Sequence, residues 1–318
     1  MKELEIIDIG SRFGIHPSNK TLTSLAQHIL IECDADECKR LELKYKQFPN
    51  IKIFNKFISK KKNIDFYIYS HPGGSSSLKP DPQRLYWTQF RKNTSNIKQK
   101  IKMSGIGLDE FVYKHNINPS FLKVDVEGSE VELLQSGKKT LQNKILGARI
   151  EVELNSLYFN HNASFNEVCK ILDAAGFEFM NFDLFSNSFT PFSDYYNTET
   201  YGQLIGCDAI FMKSPKDFKK LSEDDMIFYI IFCLNNNLQD LAIYLLTTVI
   251  SKKKIVEKLK IKNPELFNFI ENEVAKLFFS LRDRQRFDLE HFKSIWTTIF
   301  GKKNKWVKHG DFFSRFSP

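Results

Sequence analysis

Acids and glycines follow an apolar run near the start of this 318-residue chain, in an order that could bind a nucleotide. The run Leu4–Ile7 is typical of a buried strand, and Asp8, Gly10 and Gly14 come directly after it. Glycines after a strand let backbone N–H groups approach a ligand. Open α/β sheets bind nucleotides outside the carboxyl ends of their strands. The stretch therefore predicts a nucleotide-binding turn, and an ordinary strand–turn segment is the alternative.

A second acid has the spacing that such a site requires. The run Ile29–Ile31 ends in Glu32, 22 residues after Gly10. Nucleotide-binding βαβ units place an acid at about this distance, where it binds the ribose hydroxyls. A carboxylate offers two acceptor oxygens and so suits a vicinal diol. The spacing favours this role for Glu32 over that of a surface charge at the end of a strand.

Two later strands also carry acids near their ends. Asp125 ends the fourth predicted strand and Glu127 follows it. They either contact a ligand at the strand ends or cap the next helix. Glu151 and Glu153 lie two apart on the fifth strand and therefore share a face, where buried carboxylates must be paired or hydrated. Glu153 is nearer the strand end, so it is a candidate base for an acceptor hydroxyl.

One loop could supply a further catalytic group. His71 opens the segment 71–82, whose glycines, serines and prolines favour an exposed loop. It is either an active-site loop whose His71 and serines face an acceptor, or a plain connector. The next segment, residues 83–103, interleaves bases and aromatics. It either binds sugar or nucleic acid or covers the sheet, and covering is the commoner case.

The elements that must position these residues change in kind along the chain. Strands and helices alternate up to Met212, which predicts a doubly wound sheet in which the fourth strand lies beside the first. Asp8 and Asp125 would then face one crevice. From Pro215 helical periodicity takes over, so we predict one domain over residues 1–214 and a helical domain over residues 215–318. The apolar run from residue 224 contains too many polar residues for a membrane span.

Composition and charge limit the class of protein. Hydrophobic residues make up 42% and charged residues 26%, as in ordinary globular proteins. The five cysteines are odd in number and show no metal-type pairing, so we interpret them as reduced thiols of a cytoplasmic protein. No signal peptide is visible. The net charge is +8, and residues 215–318 contribute +6 of it, with 19 Lys and Arg against 13 Asp and Glu.

Several motifs together resemble the FkbM family of S-adenosylmethionine-dependent methyltransferases. The similar stretches are DIGSRFG, IECDADECKRL, FLKVDVEGSEVELLQSG, HPGGSSSLKPD and YGQLIGCDAIFMK. The resemblance covers residues 4–213. It implies an α/β fold with a Rossmann-like class I methyltransferase sheet, mostly parallel with an antiparallel last strand, followed by an all-helical appendage.

The resemblance also implies that S-adenosylmethionine is the cofactor. Its methionine end would lie near Asp8 and Gly10 and its ribose at Glu32. Phe57 would either be part of the wall beside the adenine or pack in the core. Arg12 stands where many methyltransferases carry another glycine, a departure common in this family. The predicted cofactor contacts are Asp8, Gly10, Ser11, Arg12, Gly14, Glu32, Cys33, Phe57 and Asp125.

By analogy with the family we expect O-methylation of a hydroxyl on a sugar, a glycan or a secondary metabolite. A hydroxyl is not acidic and needs a base, for which His71, Glu127 and Glu153 are the candidates. A divalent metal held by the clustered acids ranks below a metal-free site because no clear ligand spacing is present. The absence of a GxGxxG fingerprint argues against a dehydrogenase.

The basic helical region leaves a second function open. Residues 300–318 hold five bases against one acid, together with aromatics. This tail either meets an anionic surface, polymer or protein partner, or docks on its own domain. The alternative function is therefore a non-catalytic methyltransferase-fold module whose tail binds a partner or nucleic acid. For the enzyme we expect a small-molecule or glycan acceptor, no nucleic acid, and a protein partner or self-association through the C-terminal helices.

Overall fold

The computed structural model describes residues 2–83, 96–155, 158, 164–187, 204–250, 254–282 and 289–300. The predictions for segment 84–95 and for the tail 301–318 lie outside these residues. Two compact units divide the chain, with the break between Asp217 and Phe218. We call Glu3–Asp217 the α/β unit, and Lys2 together with the chain from Phe218 onward the helical unit.

The described strands of the α/β unit are β1 (Glu5–Ile9), β2 (Gln27–Glu32), β3 (Ile51–Asn55), β4 (Ile64–Tyr69), β5 (Ile97–Met103), β6 (Phe121–Val124), β7 (Gly147–Glu153), β8 (Phe177–Asn187) and β9 (Leu204–Lys213). Seven of them form one sheet in the order β3-β2-β1-β6-β7-β9-β8. The first five of this order are parallel, and β9 runs antiparallel to both of its neighbours. The predicted class I methyltransferase fold is confirmed. Strand order reverses between β1 and β6, which is where open α/β sheets bind ligands.

Helices of the α/β unit are α1 (Ala35–Lys44), α2 (Leu108–Lys114), α3 (Glu130–Ser136), α4 (Lys138–Asn143) and α5 (Phe165–Ala174). Helices α2 to α5 form an apolar core with one face of the sheet. Strand residues such as Ile7, Ile9 and Leu122 supply the sheet side of this core. Because side chains alternate along a strand, the opposite face carries Asp8, Lys123 and Arg149. These three are neighbours in register across β1, β6 and β7. The sheet therefore places a row of buried charges next to the ends of its strands.

Two connections differ from the sequence prediction. The sequence predicts a helix over residues 15–27, but the connection between β1 and β2 is a short 3₁₀ turn, Pro17–Leu22. Its sequence PSNKTL lacks an apolar period, and Ser, Asn and Thr side chains compete for backbone hydrogen bonds. The segment expected to cover the sheet contains β5, which pairs antiparallel with β4 in a separate two-stranded sheet.

The described helices of the helical unit are α6 (Glu223–Asn235), α7 (Gln239–Leu245), α8 (Ile255–Lys262), α9 (Pro264–Arg282) and α10 (Leu289–Phe300). The helical periodicity predicts a helix over residues 238–252, but α7 ends at Leu245 because the chain continues as a π-helical turn over Leu246–Ile250. Lys2 joins this unit through its backbone N–H, which donates to Asp224 at 2.7 Å. None of the helices in the described ranges has the length and apolar character needed to cross a membrane.

Candidate active site

We call residues 8–14, which include the end of β1 and the turn after it, the β1 turn. It contains two buried polar atoms without a hydrogen bond to the described residues. Asp8 is 1% exposed, and its Oδ2 accepts from the backbone N–H of His16 at 3.2 Å. Its Oδ1 lies 3.5 Å from Lys123 Nζ but accepts no hydrogen bond, and Ser11 Oγ is likewise unbonded. Burial raises the pKa of Asp8, and the charge on Lys123 opposes the shift. The turn therefore offers one acceptor and one hydroxyl to a ligand.

Gly10 holds this turn against the end of β6. Its φ is +81°, and a Cβ atom there would overlap the backbone carbonyl oxygen of Asp125. Lys123 joins the same two strand ends, since its Nζ lies 3.5 Å from Asp8 and 3.1 Å from Asp125. Burial alone would lower the pKa of Lys123, but the carboxylates of Asp125 and Asp8 raise it. Asp8 and Asp125 thus lie at one edge of the sheet, as the strand order predicts. Gly14, with φ +93°, approaches Tyr45.

Glu32 ends β2 and is buried. Its Oε1 accepts from the backbone N–H of Asp34 at 2.8 Å, and burial raises its pKa. The Cys33 thiol lies beside it, and burial raises that pKa as well. Arg12 donates to Asp34 at 3.0 Å, which ties the β1 turn to the start of α1. Two of the predicted cofactor residues, Arg12 and Glu32, therefore meet at Asp34.

Phe57 and His71 lie in the loops around the strand ends. The Phe57 ring packs edge-on against Phe66, with centroids 5.7 Å apart, and is half-buried. This position leaves both of its proposed roles open. The His71 ring lies beside Gly73, where Phe13 from the β1 turn also approaches. The structure thus places His71 next to the turn that contains Gly10 and Gly14.

Three carboxylates gather where β6 and β7 end. One oxygen from each of Asp125, Glu127 and Glu151 lies within 4.8 Å of the others, close enough to share a proton or a cation. Burial, followed by the charges of Asp125 and Glu127, raises the pKa of Glu151 well above its ordinary value. A protonated Glu151 relieves the repulsion among the three groups. We assign no metal to them, since an acidic cluster without a further ligand does not identify one.

We call residues 71–82 the serine loop, and this loop contacts the turn that carries Glu127. Ser76 Oγ donates to the Glu127 carbonyl at 2.6 Å, and Ser77 Oγ lies 2.6 Å from Ser129 Oγ. Tyr158 donates to Glu127 Oε2 at 3.3 Å. Glu127 has a φ of +55°, a conformation that costs energy in a residue with a Cβ. These bonds hold its carboxylate at the end of β6.

Two further acids, Glu130 and Glu153, lie in this region. Glu130 Oε1 accepts from the N–H groups of Val126 and Gly128 at 3.0 and 3.2 Å, and burial raises the pKa of Glu130 to about 8. Glu153 bridges to Ser164 and pairs with Gly206 in the β7–β9 ladder.

A buried charged network on the sheet face is missing from the sequence prediction. Arg149 donates to Asp208 at 2.8 Å and to Asp183 at 2.9 Å. His16 Nε2 lies 3.6 Å from Asp208; burial and the charge on Lys123 lower the pKa of His16 to about 4. The sequence does not predict this network, because its partners lie on strands that are far apart along the chain.

Comparison with known proteins identifies the family. The model of the methyltransferase FkbM domain matches residues 8–179, which is more than half of the chain. The chain therefore belongs to the FkbM methyltransferase family, and the predicted resemblance is confirmed. No curated protein matches the chain by sequence.

Three solved structures are similar to parts of the chain. The FkbM methyltransferase of Methylobacillus flagellatus KT is 12% identical with a TM-score of 0.37, and the match covers 66% of this chain and 43% of that one. The chain thus spans less than half the length of that protein. The precorrin-6y C5,15-methyltransferase of Geobacter metallireducens GS-15 is 8% identical at a TM-score of 0.34, with 67% and 80% covered. A TehB-like SAM-dependent methyltransferase of Corynebacterium glutamicum is 10% identical at 0.31, with 67% and 82% covered.

Proposed function

We propose that the chain is an S-adenosylmethionine-dependent O-methyltransferase acting on a hydroxyl of a sugar, a glycan or a secondary metabolite. The observation that carries this proposal is the pair of unbonded buried atoms in the β1 turn, Asp8 Oδ1 and Ser11 Oγ. A carboxylate oxygen can accept from an ammonium group, and a hydroxyl can donate to a carboxylate. These two atoms therefore fit the methionine end of the cofactor.

The ribose fits at the next strand end. Glu32 Oε1 is engaged with Asp34, and a carboxylate has further acceptor positions for a diol. Ribose hydroxyls donating to Glu32 would favour its charged form and so offset the burial that raises its pKa.

S-adenosylmethionine supplies a methyl group activated by a positively charged sulfur. The task of the chain is then to position the acceptor oxygen in line with that methyl group and to receive its proton. We assign proton acceptance to Glu127, because its carboxylate is oriented by Tyr158 and its backbone by Ser76. Burial and the neighbouring carboxylates raise the pKa of Glu151, so we assign it to positioning Asp125 and Glu127 rather than to proton acceptance. His71 and Glu153 remain further candidates for the base.

Calorimetry with S-adenosylmethionine tests the proposal. Glu32→Gln keeps an oxygen that can accept from Asp34 but removes the charge, and we expect its affinity to fall by about 1–3 kcal/mol. Glu42→Gln changes an exposed acid of α1 in the same way and should bind as the native chain does. Tight NAD binding with no response to S-adenosylmethionine would show a different nucleotide enzyme. Labelled methyl transfer to an extract fractionated into sugars, lipids and proteins would then locate the acceptor.

A further inference from the structure

Lysines from two segments surround Tyr67 of the β4–β5 hairpin. Lys100 Nζ and Lys79 Nζ lie 5.9 and 5.6 Å from the centroid of the Tyr67 ring. The two ammonium groups come from different segments and lie within about 12 Å of each other. Lys102 continues the group along β5. We call Lys79, Lys100 and Lys102 the lysine face.

Among the described residues, the acid paired with Lys100 and Lys102 is Asp65. The Asp65 carboxylate forms ion pairs with Lys100 at 2.8 Å and with Lys102 at 2.6 Å, so a single carboxylate serves two ammonium groups. The Lys100 and Lys102 side chains are 53% and 65% exposed, and Lys79 is exposed as well. The lysine face therefore keeps a positive charge that solvent or a ligand must balance.

Protection of the strand edge explains part of this arrangement. Lysines on an edge strand discourage pairing with another chain, and this accounts for Lys100 and Lys102 on β5. It does not account for Lys79, which lies in the serine loop and reaches the same tyrosine ring from outside the strand. Lys79 thus adds a cation from a second segment, as we expect of a surface that binds an anion.

The lysine face lies next to the candidate active site. Tyr67, which lies beneath the lysines, pairs with Ser76 through reciprocal backbone hydrogen bonds of 2.8 and 3.1 Å. Ser76 in turn donates to the carbonyl of Glu127. Ser76 thus connects the backbone of Tyr67 to the backbone of Glu127, whose carboxylate lies with those of Asp125 and Glu151. An acceptor whose hydroxyl lies at the carboxylates could therefore have an anionic group at its other end, bound by the lysines.

We propose that the lysine face binds a phosphate or diphosphate group of the acceptor, which makes the acceptor a small phosphorylated hydroxy compound. Compact ammonium groups suit phosphate oxygens, and several spread over this distance suit a multivalent anion. Nucleic acid fits less well, because single strands stack their bases on exposed rings and Tyr67 is only 7% exposed. Its role as an acceptor subsite depends on the proposed methyl transfer, whereas anion binding does not.

Titration calorimetry of the full chain with inorganic tripolyphosphate, at low salt, tests the proposal. We expect Lys79→Ala/Lys100→Ala to weaken binding by about tenfold or more, as for the loss of charge-assisted hydrogen bonds. Asp65 keeps Lys102 as a partner in this variant, so the hairpin retains its ion pair. The matched control is Lys139→Ala/Lys170→Ala, which removes two exposed charges, one of them also paired with an acid. We expect the control to bind within about twofold of the native chain, because binding here requires the lysine face rather than net charge.

Each other outcome has a definite meaning. Equal weakening in both variants would overturn the proposal, because binding would then depend on net charge alone. Absence of tripolyphosphate binding by the native chain would also overturn it. An oligonucleotide of 20 nucleotides that binds more tightly than tripolyphosphate and loses affinity in the lysine-face variant would replace the small acceptor by nucleic acid. S-adenosylmethionine is titrated into every variant. Its failure to bind the native chain would refute the methyltransferase proposal and leave the phosphate result standing.

Discussion

Buried charges lie near the strand ends of the sheet, and Lys123 is the one that pairs with two acids. It lies between Asp8 and Asp125 and is almost fully buried. Breaking a buried ion pair by removing one partner leaves an uncompensated charge, which costs about 3–5 kcal/mol. We therefore expect Lys123→Met to lower the free energy of unfolding by about that amount, measured by urea denaturation.

A second substitution shows whether charge is the reason. Adding Asp125→Asn to Lys123→Met removes one of the stranded carboxylates, so part of the lost stability should return. Lys139→Met, on an exposed side chain, should have almost no effect. A double variant as unstable as the sum of its parts would mean that Lys123 acts through packing.

Glu130 makes a prediction about pH. Its pKa rises from an ordinary 4.5 to about 8 in the folded chain, so the folded state binds more protons than the unfolded state between these values. Stability from this group is complete below about pH 4.5 and is lost as the pH rises through about 8. Glu130→Gln can still accept from Val126 and Gly128, and it does not titrate.

The measurement is the free energy of unfolding of both chains from pH 5 to pH 8. Relative to Glu130→Gln, the native chain should lose up to about 1.4 kcal/mol per pH unit. His16 acts in the opposite sense from pH 4 to 6.5 in both chains, so it cancels in the difference. Parallel curves would show that Glu130 ionises normally.

At the scale of elements, the β1 turn and the end of α5 allow a direct comparison of two glycines. Gly10 and Gly176 have nearly the same φ, +81° and +83°. A Cβ at Gly10 would overlap the backbone of Asp125, whereas a Cβ at Gly176 would meet only the flexible end of Lys213, at 3.9 Å. Gly176→Ala should cost about 1–2 kcal/mol, the strain of the left-handed conformation.

Gly10→Ala adds the backbone overlap to the same strain, and we expect a loss of more than about 3 kcal/mol. Thermal unfolding of the two variants checks the difference. Similar losses would show that the β1 turn can move away from β6, contrary to the close contact that brings Asp8 toward Asp125.

The same elements show what a sequence can and cannot predict. The strands ending in Asp8, Glu32 and Asp125 were predictable because apolar runs and turn residues are local signals. The row formed by Asp8, Lys123 and Arg149 was not, since β1 and β6 pair across more than a hundred residues and register depends on that pairing. Strand β5 was missed because its alternate lysines resemble an exposed amphipathic cover.

The structure also changes which acids we consider together as candidate catalytic groups. The sequence offered Glu153 as a candidate base, together with His71 and Glu127, because it is nearer the strand end than Glu151. The structure gathers Glu151 with Asp125 and Glu127; burial, followed by the charges of those two acids, raises the pKa of Glu151. Such an arrangement depends on how far each turn projects beyond its strand, which no residue spacing encodes.

At the scale of the whole molecule, the chain divides into two compact units, and its first residues do not belong to the unit that follows them in sequence. Lys2 pairs with Asp224 and Asp225 of α6, so the helical unit contains both ends of the described chain. The proposed cofactor residues all lie in the α/β unit. We propose that the two units are also separate in stability, close to the predicted boundary at residue 214.

Hydrogen exchange with and without S-adenosylmethionine tests this division. A ligand at one hundred times its dissociation constant stabilises the unit that binds it by about 2.7 kcal/mol, which slows exchange through unfolding of that unit by about a hundredfold. We expect this slowing in β1, β2 and β6 and unchanged exchange in α6 and α9. Glu32→Gln, at the same ligand concentration, should show less slowing because it binds less. Equal protection in α6 would mean that the two units unfold together, and the helical unit would then share in the energetics of cofactor binding.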